Sequence, residues 1–202
     1  MTMRLFGVLF ALLLPAMAAD STNGKMLGNP TAPIRLELFS DFSCPGCKAL
    51  HENLLPTLIR DFVNTGKAYI VFRDFVLPPN PGHVYSPVAA RYAAASARIG
   101  KYLQVGDALF RDQSAWAMSG RVWESVAPAL TADEQKRVQT LFNDPGIAAE
   151  VKNDTDTGTH AGLKRTPTVG VIFRGQHQMW DQFNQPGSDA LFFGYLRELL
   201  KK

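Results

Sequence analysis

The chain has 202 residues, of which 46% are hydrophobic and 19% charged, so it is long enough for one domain with a substantial core. The formal net charge is only +3, and the sequence contains no basic run or RNA-binding signature. We therefore predict no nucleic-acid partner.

The first 19 residues have the pattern of a secretory signal peptide. Arg4 gives a positive start, residues 5–14 are almost entirely apolar, and residues 16–18 fit the small-x-small cleavage pattern. The apolar run is short for a membrane span, although a retained N-terminal anchor is the alternative. We predict cleavage, a periplasmic mature protein without a membrane span, and a polar, mobile start at residues 20–25.

A predicted strand and a predicted helix lie on either side of the only two cysteines. Residues 34–39 are apolar apart from Arg35 and Glu37 and indicate a largely buried strand, and apolar residues recur at helical spacing over 45–64. Pro56 lies inside this helix and predicts a kink. Residues 68–75 predict a second strand, which a right-handed crossover would place parallel to the first.

A helical block is predicted after the second strand. Ser86, followed by proline, is typical of a helix N-cap, and two or three further helices are predicted between residues 102 and 151. Thr131 and Glu134 have the spacing of a capping box. Residues 154–159 are polar and are predicted to form a loop.

The end of the chain predicts a hairpin and a helix. Two short strands, 169–173 and 176–180, flank Arg174 and Gly175, and Ser188 is predicted to cap the last helix. The order of elements predicts an α/β fold interrupted by a helical insertion at about residues 86–155. We interpret residues 20–202 as one domain.

The spacing of Cys44 and Cys47 favours redox chemistry. Cysteines of exported proteins normally form disulfides, but a bridge across two residues closes almost no loop and would stabilise the fold little. Cys44 is predicted at a helix N-terminus, where backbone N–H groups and the helix dipole stabilise a thiolate. Cys47, one turn further on, could then resolve a mixed disulfide formed at Cys44.

Three segments resemble the DsbA-like family of exported thioredoxin-fold disulfide oxidoreductases. Residues 28–33 resemble the family's lead-in, residues 37–47 its active-site strand and Cys-x-x-Cys turn, and residues 165–168 its cis-proline loop. The resemblance implies a thioredoxin fold, which is a central mixed sheet flanked by helices, with an inserted helical block. It also implies cysteine-containing polypeptide substrates and a redox partner protein of unknown identity.

The resemblance assigns roles to individual residues. Thr166 would precede Pro167 through a cis bond and would pair with a bound polypeptide as a short strand. Glu37 would be the buried acid that exchanges protons near Cys47, or else a carboxylate on an edge strand facing water. Asp41 is predicted to cap or orient the turn. A monomer is expected, because the chain has no room for the dimerisation domain of dimeric isomerases.

Gly46 departs from the family pattern. Strongly oxidising members place a histidine at this position, where it stabilises the thiolate, so we predict a less oxidising pair here. The direction of disulfide exchange in the cell stays open.

A metal site and a non-catalytic role are the alternatives. Cys44, Cys47 and His51 could hold a metal, but zinc normally takes four ligands and there is no second cysteine pair, so we predict neither metal nor cofactor. His83, His160 and His177 are interpreted as surface or loop residues. The alternative function is a thioredoxin-like module without catalysis, either a metal carrier or a periplasmic binding partner.

Overall fold

The structure, a computed structural model, describes residues 24–78 and 82–202. The predicted signal peptide, residues 1–19, lies outside the described residues. Within the described ranges, no helix is long and apolar enough to cross a membrane.

A five-stranded mixed sheet forms the centre of the fold, in the order β1-β3-β2-β4-β5. The strands are β1 (Met26–Leu27), β2 (Ile34–Ser40), β3 (Ala68–Asp74), β4 (Thr168–Phe173) and β5 (Gln176–Trp180). β2 and β3 are parallel, as predicted, and the other neighbours are antiparallel. The prediction of a thioredoxin fold with a mixed sheet is confirmed.

One continuous helical segment follows the cysteine turn. It consists of α1 (Pro45–Ala49), a π-helical turn (Leu50–Leu54), α2 (Leu55–Leu58) and a second π-helical turn (Ile59–Val63). Pro56 lies near the start of α2, between the two π-helical turns. Proline has no backbone N–H and cannot donate to the preceding helical turn. The regular α-helical hydrogen-bond pattern is accordingly interrupted by a wider π-helical turn on each side of α2.

The helical block lies between β3 and β4. Its helices are α3 (Ser86–Ala97), α4 (Tyr102–Arg111), α5 (Gln113–Ser119), α6 (Val122–Val126), α7 (Ala132–Phe142) and α8 (Pro145–His160), with a 3₁₀ turn at Ala127–Ala129. Helix α9 (Ser188–Leu199) ends the fold. The predicted loop at 154–159 is wrong, because these residues continue α8.

Two of the three predicted helix caps need correction. Thr131 and Glu134 form the predicted capping box. Ser86 and Ser188, however, are the first residues of their helices, with Tyr85 and Gly187 at the N-cap positions. The Ser86 hydroxyl instead donates to the Asp41 carboxylate at 2.5 Å, so a tertiary contact replaces the local cap.

The hairpin turn has the geometry that its sequence predicts. Arg174 has φ +48° and Gly175 has φ +77°, and Phe173 pairs with Gln176 across the turn. Two consecutive residues with positive φ match the twist of an antiparallel pair.

The two faces of β2 carry different side chains. Leu36 and Leu38 belong to the large apolar core that also contains Cys47. Residues alternate between the faces of a strand, so Glu37 and Phe39 lie on the opposite face. This alternation decides which side chains of β2 reach the cysteines.

Candidate redox site

The two cysteines lie where β2 passes into α1. Cys44 is the N-cap residue of α1, and its carbonyl oxygen accepts hydrogen bonds from the backbone N–H groups of Cys47 and Lys48, each at 3.1 Å. Cys47 lies one turn further along and is 1% exposed, whereas Cys44 is half-buried. Both are free thiols, 3.6 Å apart.

The surroundings push the pKa values of the two thiols in opposite directions. The hydrogen bond from Cys47 is the largest cause that lowers the pKa of Cys44, from 9.0 to about 6, with help from the backbone N–H groups of Cys47 and Gly46 and in spite of partial burial. Burial, followed by the proximity of Cys44, raises the pKa of Cys47 well above 9.0. Near neutral pH, Cys44 is therefore a thiolate and Cys47 a thiol.

The loop before β4 faces Cys44. The Thr166–Pro167 peptide bond is cis, as the resemblance implied. Sγ of Cys44 lies 3.4 Å from the Thr166 carbonyl oxygen, to which it donates a hydrogen bond only when the thiol is protonated. Gly46 lies against the same loop, where an added Cβ would be 3.2 Å from Cδ of Pro167. The turn, Thr166 and Pro167 thus form one continuous site.

Asp41 orients the turn, as predicted. Its carboxylate accepts hydrogen bonds from the backbone N–H of Ser43 at 2.7 Å and of Leu77 at 2.9 Å. The Ser86 hydroxyl and the His83 ring, at 2.5 and 3.1 Å, are its other partners. The backbone N–H of Asp41 also donates to Sγ of Cys47 at 3.4 Å.

The structure does not bring Glu37 to the cysteines. Glu37 projects from the face of β2 opposite Cys47, and its carboxylate accepts hydrogen bonds from Arg35 at 2.7 Å and Arg73 at 2.9 Å. It is also not on an edge strand, because β2 is central in the sheet. Neither of the two predicted environments of Glu37 is therefore found.

His51 pairs with an acidic residue of the helical block and not with the cysteines. Its Nε2 lies 2.6 Å from Oδ1 of Asp107, and its ring packs on Phe110. Within the described ranges, no group of three or more histidine, cysteine or acidic side chains is arranged to hold a metal ion.

Sequence reasoning missed two residues that touch the turn. His83, interpreted as a surface or loop residue, is 14% exposed and paired with Asp41. Gln113, the first residue of α5, is buried, and its Nε2 donates to the carbonyl oxygens of Phe42 at 2.7 Å and of Cys44 at 3.0 Å. His83 does lie in a loop, the one before α3, so what the sequence missed is its contact with Asp41. No motif marks either residue, since each reaches the turn from a distant part of the sequence.

The site has the parts of a disulfide-exchange centre, and comparison with known proteins agrees. Residues 20–183 match the family described as Thioredoxin. A probable disulfide bond formation protein D of Bacillus anthracis is 36% identical over 164 residues, which cover 77% of this chain and 72% of that protein. The chain belongs to the DsbA-like thioredoxin-fold family.

Solved structures share the fold of this DsbA-like chain. Oxidised BdbD from Bacillus subtilis has a TM-score of 0.70 at 21% identity and covers 90% of this chain and 96% of its own. Wolbachia pipientis alpha-DsbA1 has a TM-score of 0.65 at 21% identity, covering 87% and 89%. The alignments with three Bacillus relatives cover 66% to 72% of those proteins' own lengths.

Proposed function

We propose that this protein is an exported thiol–disulfide oxidoreductase that exchanges disulfides with cysteine-containing polypeptides through Cys44 and Cys47. The opposite pKa shifts of two thiols 3.6 Å apart carry the proposal. A half-buried thiolate can exchange with a substrate, while a buried thiol held beside it can resolve the product.

In the oxidising direction, a substrate thiolate attacks Sγ of Cys44 in the Cys44–Cys47 disulfide. The bond between the two cysteines breaks, and Cys47 leaves as a thiolate and takes a proton, as its raised pKa favours. A second substrate thiolate then attacks the substrate sulfur and releases Cys44 as a thiolate. The substrate loses two electrons, which reduce the protein; the reductive direction is the reverse.

The cis-proline loop is the proposed docking point for the substrate chain. Thr166 and Pro167 lie against Cys44 and Gly46, so a polypeptide beside this loop would place a sulfur next to Cys44. An extended segment could pair there as a short added strand.

Single-cysteine variants test the exchange. Cys44→Ser should abolish the acceleration by this protein of insulin reduction by dithiothreitol, because the accessible thiolate is lost, and only the uncatalysed rate should remain. Cys47→Ser should instead accumulate mixed disulfides through Cys44, visible on non-reducing gels. If the folded wild-type protein neither exchanges disulfides nor forms such adducts, it is a non-catalytic module.

Export is tested separately. The proposed signal peptide, residues 1–19, should be absent from the mature protein, which N-terminal sequencing of the periplasmic fraction would show. Full-length protein retained in the membrane fraction would indicate the anchor instead.

The redox partner protein and a monomeric state also remain proposals. Trapping Cys47→Ser adducts in cells would identify proteins that exchange with Cys44. Sedimentation equilibrium should give a mass close to that of one chain.

A further inference from the structure

Gln113 joins the helical block to the redox turn, which is the segment 41–47 that leads from β2 into α1 and holds both cysteines. The two N–H bonds of its side-chain amide are directed to two carbonyl oxygens of the turn, those of Phe42 and Cys44. Gln113 is only 7% exposed, so water does not readily replace these bonds. The contact spans about 70 residues of sequence and connects the two parts of the fold.

The carbonyl of Cys44 makes this contact relevant to the chemistry. The same oxygen accepts the backbone N–H groups of Cys47 and Lys48, which close the first turn of α1. The N–H groups of this turn, those of Gly46 and Cys47, also stabilise the Cys44 thiolate. A rotation of the Cys44 peptide group would therefore disturb the hydrogen bonds that close the first turn of α1. It would also displace the backbone N–H groups that stabilise the Cys44 thiolate.

Other contacts hold Gln113 in place. Nζ of Lys48, on α1, donates to the carbonyl oxygen of Arg111 at 3.2 Å, just before Gln113. Phe42 packs against Phe110 of α4 with ring centroids 5.0 Å apart. The end of α4, just before Gln113, is thus held against the turn by two further contacts.

We propose that Gln113 is a positioning residue through which the helical block holds the redox turn in its exchange-competent geometry. It touches neither sulfur and acts through the backbone of Phe42 and Cys44. Without it, the Phe42 carbonyl loses its buried donor and the first turn of α1 loosens. The protein would keep both cysteines but stabilise the thiolate less.

The chain offers a matched control. Gln135 of α7 also bridges two carbonyls, donating to Ala127 at 2.9 Å and Leu130 at 3.1 Å, within the same helical block but away from the cysteines. Gln113→Leu and Gln113→Glu can therefore be compared with Gln135→Leu and Gln135→Glu. The leucine removes both donors, and the glutamate adds an acceptor and a negative charge.

The readout is the pKa of Cys44 in the reduced protein, followed by thiolate absorbance at about 240 nm as pH changes. Gln113→Leu should raise this pKa by about half to one unit and Gln113→Glu by more, whereas the Gln135 variants should leave it unchanged. In glutathione buffers, the equilibrium constant for forming the reduced protein should fall by up to about tenfold.

An unchanged pKa and glutathione equilibrium in folded Gln113 variants would overturn the proposal, even if those variants lost stability, because Gln113 would then have only a packing role. If the variants do not fold, NMR of the wild-type protein decides. The side-chain amide signals of Gln113 should shift as Cys44 titrates and those of Gln135 should not; no shift at Gln113 overturns the proposal.

The inference rests on the proposed redox function but can fail independently of it. The pKa of Cys44 is measured on the protein alone. A wild-type protein without any exchange activity would remove the function, whereas an unaltered pKa in the Gln113 variants would remove only the positioning role.

Discussion

Asp41 connects the backbone of the redox turn to the rest of the chain. Its carboxylate binds the turn through Ser43, the loop after β3 through Leu77, and the start of α3 through Ser86. Its backbone N–H points at Cys47. A buried carboxylate with several donors is stable because each lone pair is used.

Replacing Asp41 with asparagine should therefore destabilise the protein. The amide nitrogen of Asn cannot accept a hydrogen bond, so it would face at least one of the donors now bound to the carboxylate. We expect a loss of about 1–3 kcal/mol in the free energy of unfolding, measured with urea on the reduced protein. Ser86→Ala, which removes one of the carboxylate's donors and a contact with the Ser43 hydroxyl, should cost about 1 kcal/mol. A smaller loss in Asp41→Asn than in Ser86→Ala would contradict the role of Asp41.

The pKa of Cys44 predicts an unusual pH profile for its reactivity. Only the thiolate reacts with iodoacetamide, so the rate should rise about tenfold per pH unit below pH 6 and level off above it. An ordinary cysteine would keep rising to about pH 8.5. The Cys47→Ala variant keeps a single thiol and has no side-chain donor at position 47, so its midpoint should move upward if the Cys47 hydrogen bond is the main cause. A wild-type midpoint near 8.5 would contradict the assignment.

The residues of the turn were predictable to different degrees. Cys44, Cys47 and Pro167 belong to short motifs, so the sequence reveals them directly. Glu37 could not be judged this way, because its role depends on the strand face: one residue in either direction along β2 would have put it on the face that packs in the same core as Cys47. Gln113 and His83 reach the turn only through tertiary contacts, which no local pattern records.

At the level of elements, the packing of α1 against the cis-proline loop depends on Gly46. An alanine here would place its Cβ 3.2 Å from Cδ of Pro167, closer than an ordinary van der Waals contact. Glycine therefore lets the first turn of α1 approach the cis-proline loop, so any side chain added at position 46 brings a steric contact as well as its own chemistry.

Gly46→Ala and Gly46→His separate these two effects. Alanine adds only the steric contact, whereas histidine adds the same Cβ and a ring that can carry positive charge beside the thiolate. Relative to Gly46→Ala, Gly46→His should lower the pKa of Cys44 and raise the redox potential by about 30 mV per pKa unit. A glutathione titration would measure it. A wild-type potential already equal to that of a strong oxidase would refute the predicted weaker oxidation.

Helix α8 shows where local sequence patterns mislead about an element. Residues 154–159 are polar and contain a glycine, which locally favours a loop. In the fold, Asp154 is buried in ion pairs, and a Cβ on Gly158 would lie 2.7 Å from the Phe75 ring. Tertiary contacts thus stabilise a helix whose composition argues against one.

Across the whole molecule, a buried ion cluster ties the start of the described chain to the sheet and the helical block. Nζ of Lys25 lies 3.0 Å from the Asp74 carboxylate and 3.3 Å from Glu150, and it is also paired with Asp154. Tyr102 donates to Asp74 at 2.7 Å. Lys25 is 3% exposed, so the predicted mobility of residues 20–25 does not extend to it.

The charge balance of this cluster depends on its lysine. Burial alone would lower the pKa of Lys25, but Asp74 and Asp154 outweigh it and hold that pKa above its usual value. Arg73 and Arg98 pair with Asp154 and Glu150, respectively, so Asp74 is the carboxylate most dependent on Lys25. Burial already raises the pKa of Asp74.

Lys25→Met should therefore cost about 3–5 kcal/mol in the free energy of unfolding at neutral pH, because it leaves a buried carboxylate without its cation. Lys152→Met is the control: its exposed pair with Asp156 also involves α8 and should be worth less than about 1 kcal/mol. Urea denaturation of both variants measures the difference. If Lys25→Met and Lys152→Met lose the same free energy of unfolding, the buried cluster contributes no more to stability than an exposed ion pair.

The pH dependence of the Lys25→Met loss distinguishes charge from packing. Without the lysine, the pKa of Asp74 in the folded state rises further above its unfolded value, so folding favours the protonated acid. Asp74 then destabilises the folded state least below its unfolded pKa, about 3.9, and destabilises it increasingly as the pH rises above that value. The stability lost in Lys25→Met should thus be smaller at pH 4 than at pH 7. Adding Asp74→Asn to the Lys25→Met variant should restore part of the stability at pH 7. A deficit independent of pH would instead indicate lost packing of the lysine side chain.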